Sequence, residues 1–207
     1  MADMTALQHD ALNRSALPDL PLFRGWTASQ TDAEVVRQLL ADWNGVQSRE
    51  SAGAAAYRYV SRAIPAEARR DGISAGTRKV LLERALIEGG RALRDSLGTD
   101  PSQWRWGRIH RSELPHSLLR AFDIPAVERP GGPPTVAATG ATYRQVIDFS
   151  NLDASLATNV PGQSGQPGSP FYSNLAESFG RGEYFPLSFS RTAVERNAAH
   201  RLVIVPR

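Results

Sequence analysis

The segment Gly162–Gly165, with the sequence Gly-Gln-Ser-Gly, has the residue types that come closest to those of a catalytic nucleophile. A hydrolase nucleophile elbow needs a glycine two positions after its serine, but Gln166 occupies that position. A phosphate-binding loop needs a Gly-Lys-Ser/Thr run, which does not follow. The pattern therefore predicts a packed structural loop over Pro161–Pro170. Gly162 and Gly165 are expected at positive φ, so that Gly165→Val should destabilise the loop.

The four histidines, His9, His110, His116 and His200, are spaced too irregularly to hold a metal ion together. No pair has the H-E-x-x-H spacing of zinc hydrolases, and the sequence contains no cysteine. The lack of cysteine also excludes a thiolate nucleophile and a disulfide scaffold. We expect no metal site on this chain, and we expect His110 and His116 to form hydrogen bonds within the fold.

Trp104–Arg108 alternates aromatic and basic residues, a pattern found in proteins that bind single-stranded nucleic acid. The further aromatic strand of an RNA-recognition sheet is missing from the sequence. Because Trp104 and Trp106 are two positions apart, both rings lie on one face if the segment is extended. The pattern favours core packing of the two rings, with an indole N–H as the polar handle.

The charge balance of the chain is close to neutral and depends on arginine. The 207 residues contain 24 Lys+Arg against 21 Asp+Glu, and Lys79 is the only lysine. This bias is typical of a GC-rich genome, since a nucleic-acid surface needs its charge clustered on one face. With 41% hydrophobic residues, disorder along the whole chain is excluded. No apolar run approaches the roughly 20 residues of a membrane span, and Met1–Thr5 lacks the features of a signal peptide.

Residues 1–98 show helical periodicity. Helices in this segment are the first elements that could position the histidine and tryptophan side chains discussed above. The predicted helices cover Met4–Leu12, Thr31–Trp43, Ala54–Ile64 and Thr77–Leu97. The second helix is expected to start at a capping box, Thr31–Glu34. The fourth has leucines on one side and arginines on the other, which predicts one buried and one solvated face.

Residues 99–207 have the composition of strands and turns. The predicted strands cover Tyr143–Phe149, Leu156–Val160 and Leu202–Val205. The last of them is apolar at every position, which is typical of a strand buried on both faces. Ser173 is expected to cap a short helix that Gly180 and Gly182 end, and Thr192–Glu195 has the pattern of a second capping box.

The order of these elements predicts the fold class. Residues 129–140 are rich in proline and glycine and are expected to form a loop. Helices come first and strands last, without regular alternation, which indicates an α+β fold. We predict a helical segment over residues 1–98 and a strand-rich segment over 99–207, which together form the C-terminal part of one larger catalytic chain.

Six segments of the chain, in this order, resemble motifs of the penicillin acylase (penicillin amidase) family. They are Asp3–Asp10, similar to D-M-x-x-L-Q-x-D; Leu39–Gly45, similar to L-x-x-W-D/N-G; Trp104–His110 followed by His116, similar to W-x-W-G-x-x-H … H-P-L; Ala141–Phe149, similar to S-Y-R-x-V-x-D; Pro161–Tyr172, similar to G-G-Q-S-G-x-P-x-S-P-H-Y; and the tail segment Gly182–Leu187. The positions that the resemblance assigns to structural roles are Trp43, Trp104, Trp106, Gly107, His110, His116, Tyr143, Arg144, Gln163, Ser164, Gly165, Ser169, Pro170 and Tyr172.

The resemblance implies an N-terminal-nucleophile amidohydrolase with an αββα sandwich. Such enzymes are made as precursors, are usually exported to the periplasm or secreted, and cleave themselves into two chains. The second chain then starts with a catalytic serine, whose own α-amino group or a nearby histidine acts as the base. Backbone N–H groups and an asparagine stabilise the oxyanion. The implied substrates are acyl amides, such as β-lactam side chains and acyl-homoserine lactones.

The chain also departs from the family's pattern. It starts with Met1 where the family's second chain has serine, and all six motifs belong to the C-terminal part of that second chain. We therefore expect the nucleophile, the oxyanion asparagine and the ligands of a possible calcium ion to lie upstream. Phe171 replaces a histidine of the family, Asn44 replaces an aspartate, and Pro133-Pro134 interrupts a G-D-G-x-T loop.

The resemblance implies no catalytic residue on this chain, with Asp148 as the single supporting candidate. In the cephalosporin-acylase branch a carboxylate near this position orients the histidine base, whereas in the penicillin branch it would be structural. The implied partners are the alpha chain and the N-terminal part of the beta chain, with no nucleic acid and no membrane. Two alternatives stay open: an Arg-rich module that binds nucleic acid without catalysis, and a degenerate, inactive gene product.

Overall fold

A computed structural model of the protein describes residues 2–137 and 140–205. Its helices are α1 (Ala2–Gln8), α2 (Thr31–Ala41), α3 (Ala52–Ala63), α4 (Ala75–Leu97), α5 (Trp106–Ile109), α6 (Ala176–Arg181) and α7 (Arg191–Asn197). Its strands are β1 (Arg111–Leu114), β2 (Ile124–Glu128), β3 (Tyr143–Val146), β4 (Leu156–Asn159) and β5 (Phe185–Pro186). The long helices come first, and the strands follow together with the short helices α6 and α7, so the predicted α+β class is confirmed. The predicted loop at 129–140 includes residues 138 and 139, which lie outside the described residues.

The chain divides into two compact units. The helical unit consists of the described residues of Gln8–Leu114 and Pro125–Thr139. The strand unit consists of the described residues of Met1–Leu7, Pro115–Ile124 and Gly140–Arg207. Within the described residues, no helix is both long and apolar enough to span a membrane.

The helical unit is built on α2, α3 and α4, which pack against one another around a buried apolar core. The side chains with less than 2% exposure in this core include those of Phe23, Val36, Leu40, Val60, Leu82, Leu86 and Leu93. Leu82, Leu86 and Leu93 recur at helical spacing on α4, which places them on the face that meets the other two helices. The predicted leucine face of this helix is therefore its buried face.

Glycine allows α3 and α4 to approach each other closely. A Cβ atom on Gly89 would lie 2.6 Å from the Cα atom of Val60, which is closer than real Cβ contacts come. Val60 itself is fully buried, and the preceding turn of α3 carries the small residues Ala54, Ala55 and Ala56, which are also almost fully buried. Because the neighbour of Gly89 is backbone, the two helices would have to separate to admit a larger residue.

A partly buried ion pair lies in the first turns of α2, and the predicted capping box at Thr31 is wrong. The residue before the helix is Gln30, and no side chain caps it. Glu34 instead accepts hydrogen bonds from the Arg37 Nε and Nη2 atoms, each at 2.7 Å, and from the Ala28 backbone N–H at 2.7 Å. Arg37, only 8% exposed, donates further to the Phe23 carbonyl. The carboxylate therefore ties the helix to the preceding loop rather than to its own N-terminus.

The strand unit contains an antiparallel sheet with the order β3-β4-β5. Tyr143 pairs with Asn159 and Val146 with Leu156, and Leu156 also pairs with Pro186. Both long strands are shorter than predicted. β3 ends at Val146 rather than at residue 149 because the chain turns back through hydrogen bonds at Asp148.

Three sequence-based predictions in the strand unit are wrong. Leu202–Val205 forms no strand and is 69–84% exposed, since no neighbouring strand among the described residues pairs with it. α7 is capped by the Ser190 hydroxyl, which accepts from the Ala193 N–H, and not by Thr192. α6 starts after Leu175 without a side-chain cap, so Ser173 is not its cap; its predicted end at Gly182 is confirmed, with φ at 76°.

The helix contact at Gly89 yields a test of the packing. We expect Gly89→Ala to destabilise the chain by about 1–3 kcal/mol, because the added methyl group meets the α3 backbone. Gly76→Ala on the same helix is the matched control, since the nearest atom to its Cβ would be 4.0 Å away. That change should be neutral or stabilise by up to about 1 kcal/mol through helix propensity. Urea unfolding of both variants measures the difference, and equal effects would contradict the close contact.

The ion pair at Glu34 yields a test by pH. Hydrogen bonds from Arg37 and from the Ala28 N–H lower the pKa of Glu34 from its ordinary 4.5 to about 2. Its stabilising contribution is thus present above pH 4.5 and is lost as the pH falls toward 2. We expect Glu34→Gln to lower the unfolding free energy at pH 7 by on the order of 2 kcal/mol and to flatten the pH dependence between pH 4.5 and 2. Glu195→Gln, in an exposed pair with Arg191, should change neither.

Candidate functional site

Trp106 is the point at which several segments of the helical unit meet. Its backbone N–H donates to the Ser51 carbonyl at 3.1 Å, and the Gly107 N–H donates to the Arg49 carbonyl at 2.8 Å. Its indole N–H donates to the Gly131 carbonyl at 2.7 Å. The side chain is 5% exposed, so these bonds form away from water, where an unpaired donor is costly. The W-x-W-G segment is thereby locked to the start of α3 and to the proline-rich loop.

The loop at Gly131 continues the same set of backbone bonds. The Gly131 N–H donates to the Gln47 carbonyl at 2.8 Å, and the Gln47 N–H donates to the Ala11 carbonyl at 2.9 Å. Gly131 has φ at 72°, and a Cβ atom there would lie 2.2 Å from the Ala137 carbonyl oxygen. Only glycine fits this position, because both the conformation and the space exclude a side chain. Residues far apart in the sequence are thus held by main-chain groups.

His110 lies beside Trp106 in this layer. The two rings stack with their centroids 5.4 Å apart, and the His110 Nδ1 atom is 3.2 Å from the Arg129 carbonyl oxygen. Burial, reinforced by the charges of Arg129 and Arg58, lowers the pKa of His110. A neutral imidazole stacked on an indole and bonded to a carbonyl is held in place rather than exposed to a substrate.

The remaining motif residues of the helical unit also lie within its packing. The Trp43 indole donates to the Val46 carbonyl at 2.8 Å, and its ring lies 5.4 Å from that of Tyr57. The Trp104 indole donates to the Gly98 carbonyl at 2.8 Å, which closes the C-terminus of α4. A Cβ atom on Gly107 would lie 2.5 Å from the Glu128 Oε2 atom, so glycine is required there for packing.

In the strand unit, the Pro161–Pro170 loop is ordered by bonds to its own continuation. The N–H groups of Gln163 and Ser164 both donate to the Phe171 carbonyl, at 2.9 and 3.1 Å. The Ser169 hydroxyl accepts from the Phe171 N–H at 3.1 Å, and Pro170 lies between these two residues. The loop is held by its own hydrogen bonds, in which its serine hydroxyls take part, but most of its residues are exposed, so the predicted close packing is limited to the position of Gly162.

The predicted strain at two glycines of this loop is wrong. Neither Gly162 nor Gly165 has a positive φ, and nothing lies within 4 Å of a Cβ atom placed on Gly165. Gly162 is instead required for space, since its Cβ atom would lie 2.2 Å from the Phe171 carbonyl oxygen. The pattern G-x-S-G thus contains one glycine for close backbone approach and one that is free to vary.

The polar residues singled out in the strand unit bond locally. The Nδ1 atom of His116 accepts hydrogen bonds from the backbone N–H groups of Leu118 and Leu119, at 3.2 and 3.1 Å. Its ring meets that of Phe122 edge-on at 5.4 Å. The Tyr172 hydroxyl donates to the Phe122 carbonyl at 2.7 Å. These contacts join two stretches of the unit that lie 50 residues apart in the chain.

Asp148 closes a tight turn. Its Oδ1 atom accepts from the Ser150 N–H at 2.9 Å, the Ser150 hydroxyl at 2.6 Å and the Asn151 N–H at 3.2 Å. These bonds, the Ser150 hydroxyl first, lower the pKa of the Asp148 carboxyl. The motif residues on β3, which precedes Asp148, bond elsewhere. The Tyr143 hydroxyl donates to Gln145 at 3.0 Å, and Arg144 bonds to Tyr184. This geometry favours the structural interpretation of Asp148.

The structure reveals a buried polar cluster that sequence reasoning missed. Asp19 is 3% exposed, and its carboxylate accepts three hydrogen bonds. They come from the Arg69 Nε and Nη2 atoms, each at 2.8 Å, and from the Tyr57 hydroxyl at 2.8 Å. The partners are 38 and 50 residues away, so no local pattern marks them. Burial, with the neighbouring Asp19 second, raises the pKa of Tyr57. Within the described residues, no group of three or more His, Asp or Glu side chains is placed to hold a metal ion.

The motif residues described above bond and pack within their own units. Comparison with known proteins shows which family has this sequence pattern. The family model of penicillin amidase matches residues 1–196, nearly the whole chain. The chain belongs to the penicillin amidase family. The resemblance read from the six motifs is therefore confirmed.

Curated relatives of this penicillin amidase family chain are larger proteins. It is 27% identical over 142 residues to the acyl-homoserine lactone acylase QuiP of Pseudomonas syringae pv. syringae, which is 59% of this chain and 17% of the relative. The QuiP acylase of Pseudomonas fluorescens is 30% identical over 135 residues, covering 59% and 16%. That of Pseudomonas aeruginosa is 24% identical over 157 residues, covering 61% and 18%. The chain thus spans about a sixth of the length of the curated relatives it matches.

The loop glycines give a matched pair of substitutions. We expect Gly162→Ala to destabilise the strand unit by about 1–3 kcal/mol, because the methyl group meets the Phe171 carbonyl oxygen. Gly165→Ala should change stability by less than about 0.5 kcal/mol, since its surroundings are open. Urea unfolding measures both free energies. Protease cleavage of the Pro161–Pro170 loop should also be faster in Gly162→Ala than in Gly165→Ala. A greater loss at Gly165 would contradict the observed loop.

Proposed function

We propose that this chain is the C-terminal scaffold segment of an amidohydrolase that cleaves a linear amide C–N bond. The observation that carries the proposal is the family match over residues 1–196 combined with coverage of only 16–18% of the curated relatives. The six motifs of this segment belong to the C-terminal part of the family's second chain. In this proposal the reacting groups belong to the portion that precedes the segment in the family, and the segment supports them.

The proposed reaction is that of an N-terminal-nucleophile hydrolase. The hydroxyl of a serine at the start of the family's second chain attacks the amide carbonyl, and its α-amino group takes the proton. Backbone N–H groups and an asparagine side chain stabilise the oxyanion. The serine ester is then hydrolysed, so that a carboxylic acid and an amine are released. Acyl amides such as acyl-homoserine lactones or β-lactam side chains are the proposed substrate class, in line with the relatives' names.

The roles of this chain's own residues in that enzyme are structural. Trp106, Gly107 and Gly131 hold loops together through main-chain bonds, and His110 is buried against Trp106. None of the motif serines is paired with a histidine among the described residues; Ser164 and Ser169 bond to backbone N–H groups. This arrangement supports a division in which the chain supplies support and the preceding portion supplies the reacting groups.

The exposed apolar side chains of the strand unit support the rest of the acylase as the partner. They are Leu118, Leu119, Phe149, Phe171, Phe189, Leu202, Val203, Ile204 and Val205, several of them more than 80% exposed. A soluble monomer rarely exposes so many large apolar groups, and such surfaces are typical of contact sites. We propose that the alpha chain and the N-terminal part of the beta chain cover them, within an αββα sandwich in the periplasm or outside the cell.

Arginine use argues for this proposal over a nucleic-acid module. Arg37, Arg69 and Arg78 direct their guanidinium groups to carboxylates and carbonyl oxygens inside the helical unit. Arg181 and Arg191 pair with glutamates of the strand unit. Cations that are neutralised or used as carbonyl donors are not available for a phosphate backbone.

An activity assay of the purified 207-residue chain tests the proposal. We expect no turnover of a chromogenic acyl anilide or of an acyl-homoserine lactone, since the chain supplies neither nucleophile nor base. In a second arm, the chain is co-expressed with the Pseudomonas syringae relative truncated before its matching segment, and turnover above that of the truncated relative alone is expected. Turnover by the isolated chain that is lost in Ser164→Ala or Ser169→Ala would overturn the proposal.

A further inference from the structure

The loop at residues 115–123 of the strand unit is closed by a histidine that acts as a hydrogen-bond acceptor. The His116 Nδ1 atom accepts from the backbone N–H groups of Leu118 and Leu119, two and three residues further along the chain, at 3.2 and 3.1 Å. The Leu119 carbonyl in turn accepts from the Phe122 N–H at 3.0 Å. His116 thereby fixes the backbone from which the next turn of the loop starts.

Elsewhere in the chain, turns of this type are closed by a carboxylate or an amide oxygen. The Asp148 Oδ1 atom accepts from the N–H groups of Ser150 and Asn151, again two and three residues further on, at 2.9 and 3.2 Å. The bond to the N–H two residues on is also made by Asp10, Asn44 and Asp100. An ionised carboxylate and an amide oxygen remain acceptors around neutral pH, whereas an imidazole nitrogen can lose that role there.

The two bonds to His116 require the neutral imidazole. A neutral ring has one nitrogen that carries a proton and one that accepts, and here Nδ1 is the acceptor. When the ring gains a proton, both nitrogens become donors, so that an Nδ1–H would face two further N–H groups. The closed loop therefore excludes a proton that the open loop accepts. Closure weakens as the pH falls through the range in which histidine titrates, between about pH 8 and 5.

The other charged and titratable groups of the loop, and of the segment bonded to it, do not change charge in that range. Asp123 accepts from the His116 backbone N–H at 2.8 Å, which closes the loop from its other end. Arg120 lies between these two residues and is exposed. The Tyr172 hydroxyl donates to the Phe122 carbonyl at 2.7 Å. Carboxylates, guanidinium groups and phenols keep their charge between about pH 5 and 8, so the imidazole is the titrating group of this set.

The loop carries part of the exposed apolar surface of the strand unit. Leu118 and Leu119 are 84% and 55% exposed, and Phe171, which precedes Tyr172, is 56% exposed. The edge-on contact between the rings of His116 and Phe122, at 5.4 Å, lies beside the bond from Tyr172. The bonds of His116 thus help to set how these apolar side chains are arranged.

We propose that His116 is a pH-sensitive clasp that holds this loop closed at neutral pH and opens it in acid. Protonation of the imidazole breaks the bonds to Leu118 and Leu119 and loosens the turn that follows. The Phe122 carbonyl then loses its fixed position opposite the Tyr172 hydroxyl, and the two leucines leave the arrangement that they have at neutral pH. The clasp works independently of the proposed hydrolysis, because all of its bonds lie within this chain.

Amide hydrogen exchange of the 207-residue chain, followed by NMR at about pH 8 and pH 5, tests the clasp. Each measured rate is compared with the intrinsic rate at the same pH, which gives the protection of the amide by structure. We expect the protection of the Leu118 and Leu119 amides to fall at least about 5-fold from the higher to the lower pH, the effect of a lost hydrogen bond. The Ser150 and Asn151 amides, bonded to Asp148 in the same unit, should change by less than about 2-fold. Equal protection of the leucine amides at both pH values would overturn the proposal.

Substitutions at position 116 separate the acceptor from the charge. His116→Asn places an amide Oδ1 atom where the imidazole has Nδ1, so that the turn can close as it does at Asn44, without a titratable group. We expect the protection of the Leu118 amide in this variant to agree within about 2-fold at the two pH values. His116→Ala removes the acceptor and should give low protection at both. A pH response that persists in His116→Asn would contradict the clasp.

Two further variants test other sources of a pH response. Asp123→Asn keeps an oxygen acceptor for the His116 N–H and removes the carboxylate, so the response should persist. His200→Asn, at an exposed histidine of the same unit outside the loop, is the matched control and should leave the response unchanged. The ring signals of Tyr172 should shift over the same pH range in the parent chain and stay constant in His116→Asn. If Asp123→Asn or His200→Asn abolishes the response, another group titrates and the proposal is wrong.

Discussion

The close approach of α3 to α4 at Gly89 and Val60 is the constraint on which the helical unit depends. Because the α3 backbone at Val60 nearly touches α4, the contact leaves no room for a side chain at Gly89 and fixes the position of α3 relative to α4. The carbonyl groups of Arg49 and Ser51, which lead into α3, are thereby fixed as well, and they receive the N–H groups of Gly107 and Trp106. The position of the W-x-W-G segment follows from a helix contact made by residues that belong to none of the recognised motifs.

The penicillin amidase motifs share a physical character that their sequences do not reveal. Several of them contain side chains that donate to main-chain carbonyls, or a glycine that admits a main-chain carbonyl oxygen. Trp43, Trp104 and Trp106 each donate an indole N–H to a carbonyl, and Gly131 and Gly162 each admit a carbonyl oxygen where a side chain would stand. Such contacts constrain residue type as strictly as catalysis does, because a buried donor or a missing Cβ atom has few substitutes.

Much of the fold follows from local sequence signals, and the errors have a common cause. Leucine spacing places α4, and Gly182 ends α6, because both depend on neighbours in the sequence. Glu34 was assigned to a capping box on spacing alone, whereas its partners are a nearby arginine and a loop N–H. Leu202–Val205 has the composition of a buried strand, but composition cannot supply the strands that would pair with it.

The candidate site was less predictable than the fold. Its motif residues follow from resemblance, but the positive φ expected at both Gly162 and Gly165 is wrong at both, since glycine is favoured by close approach as well as by positive φ and only Gly162 needs it, for space. Asp19 carried no signal at all. Its partners Tyr57 and Arg69 are brought near it by folding, and a single sequence does not record such long-range partners.

The two bonds received by the Phe171 carbonyl have an evolutionary consequence. The loop recognises position 171 only by its main chain, while the phenylalanine side chain is 56% exposed and is not needed for the turn. The turn therefore constrains the backbone at position 171 and leaves its side chain free to change chemical type. The outer surface of this loop can change in charge and polarity while the turn beneath it stays intact.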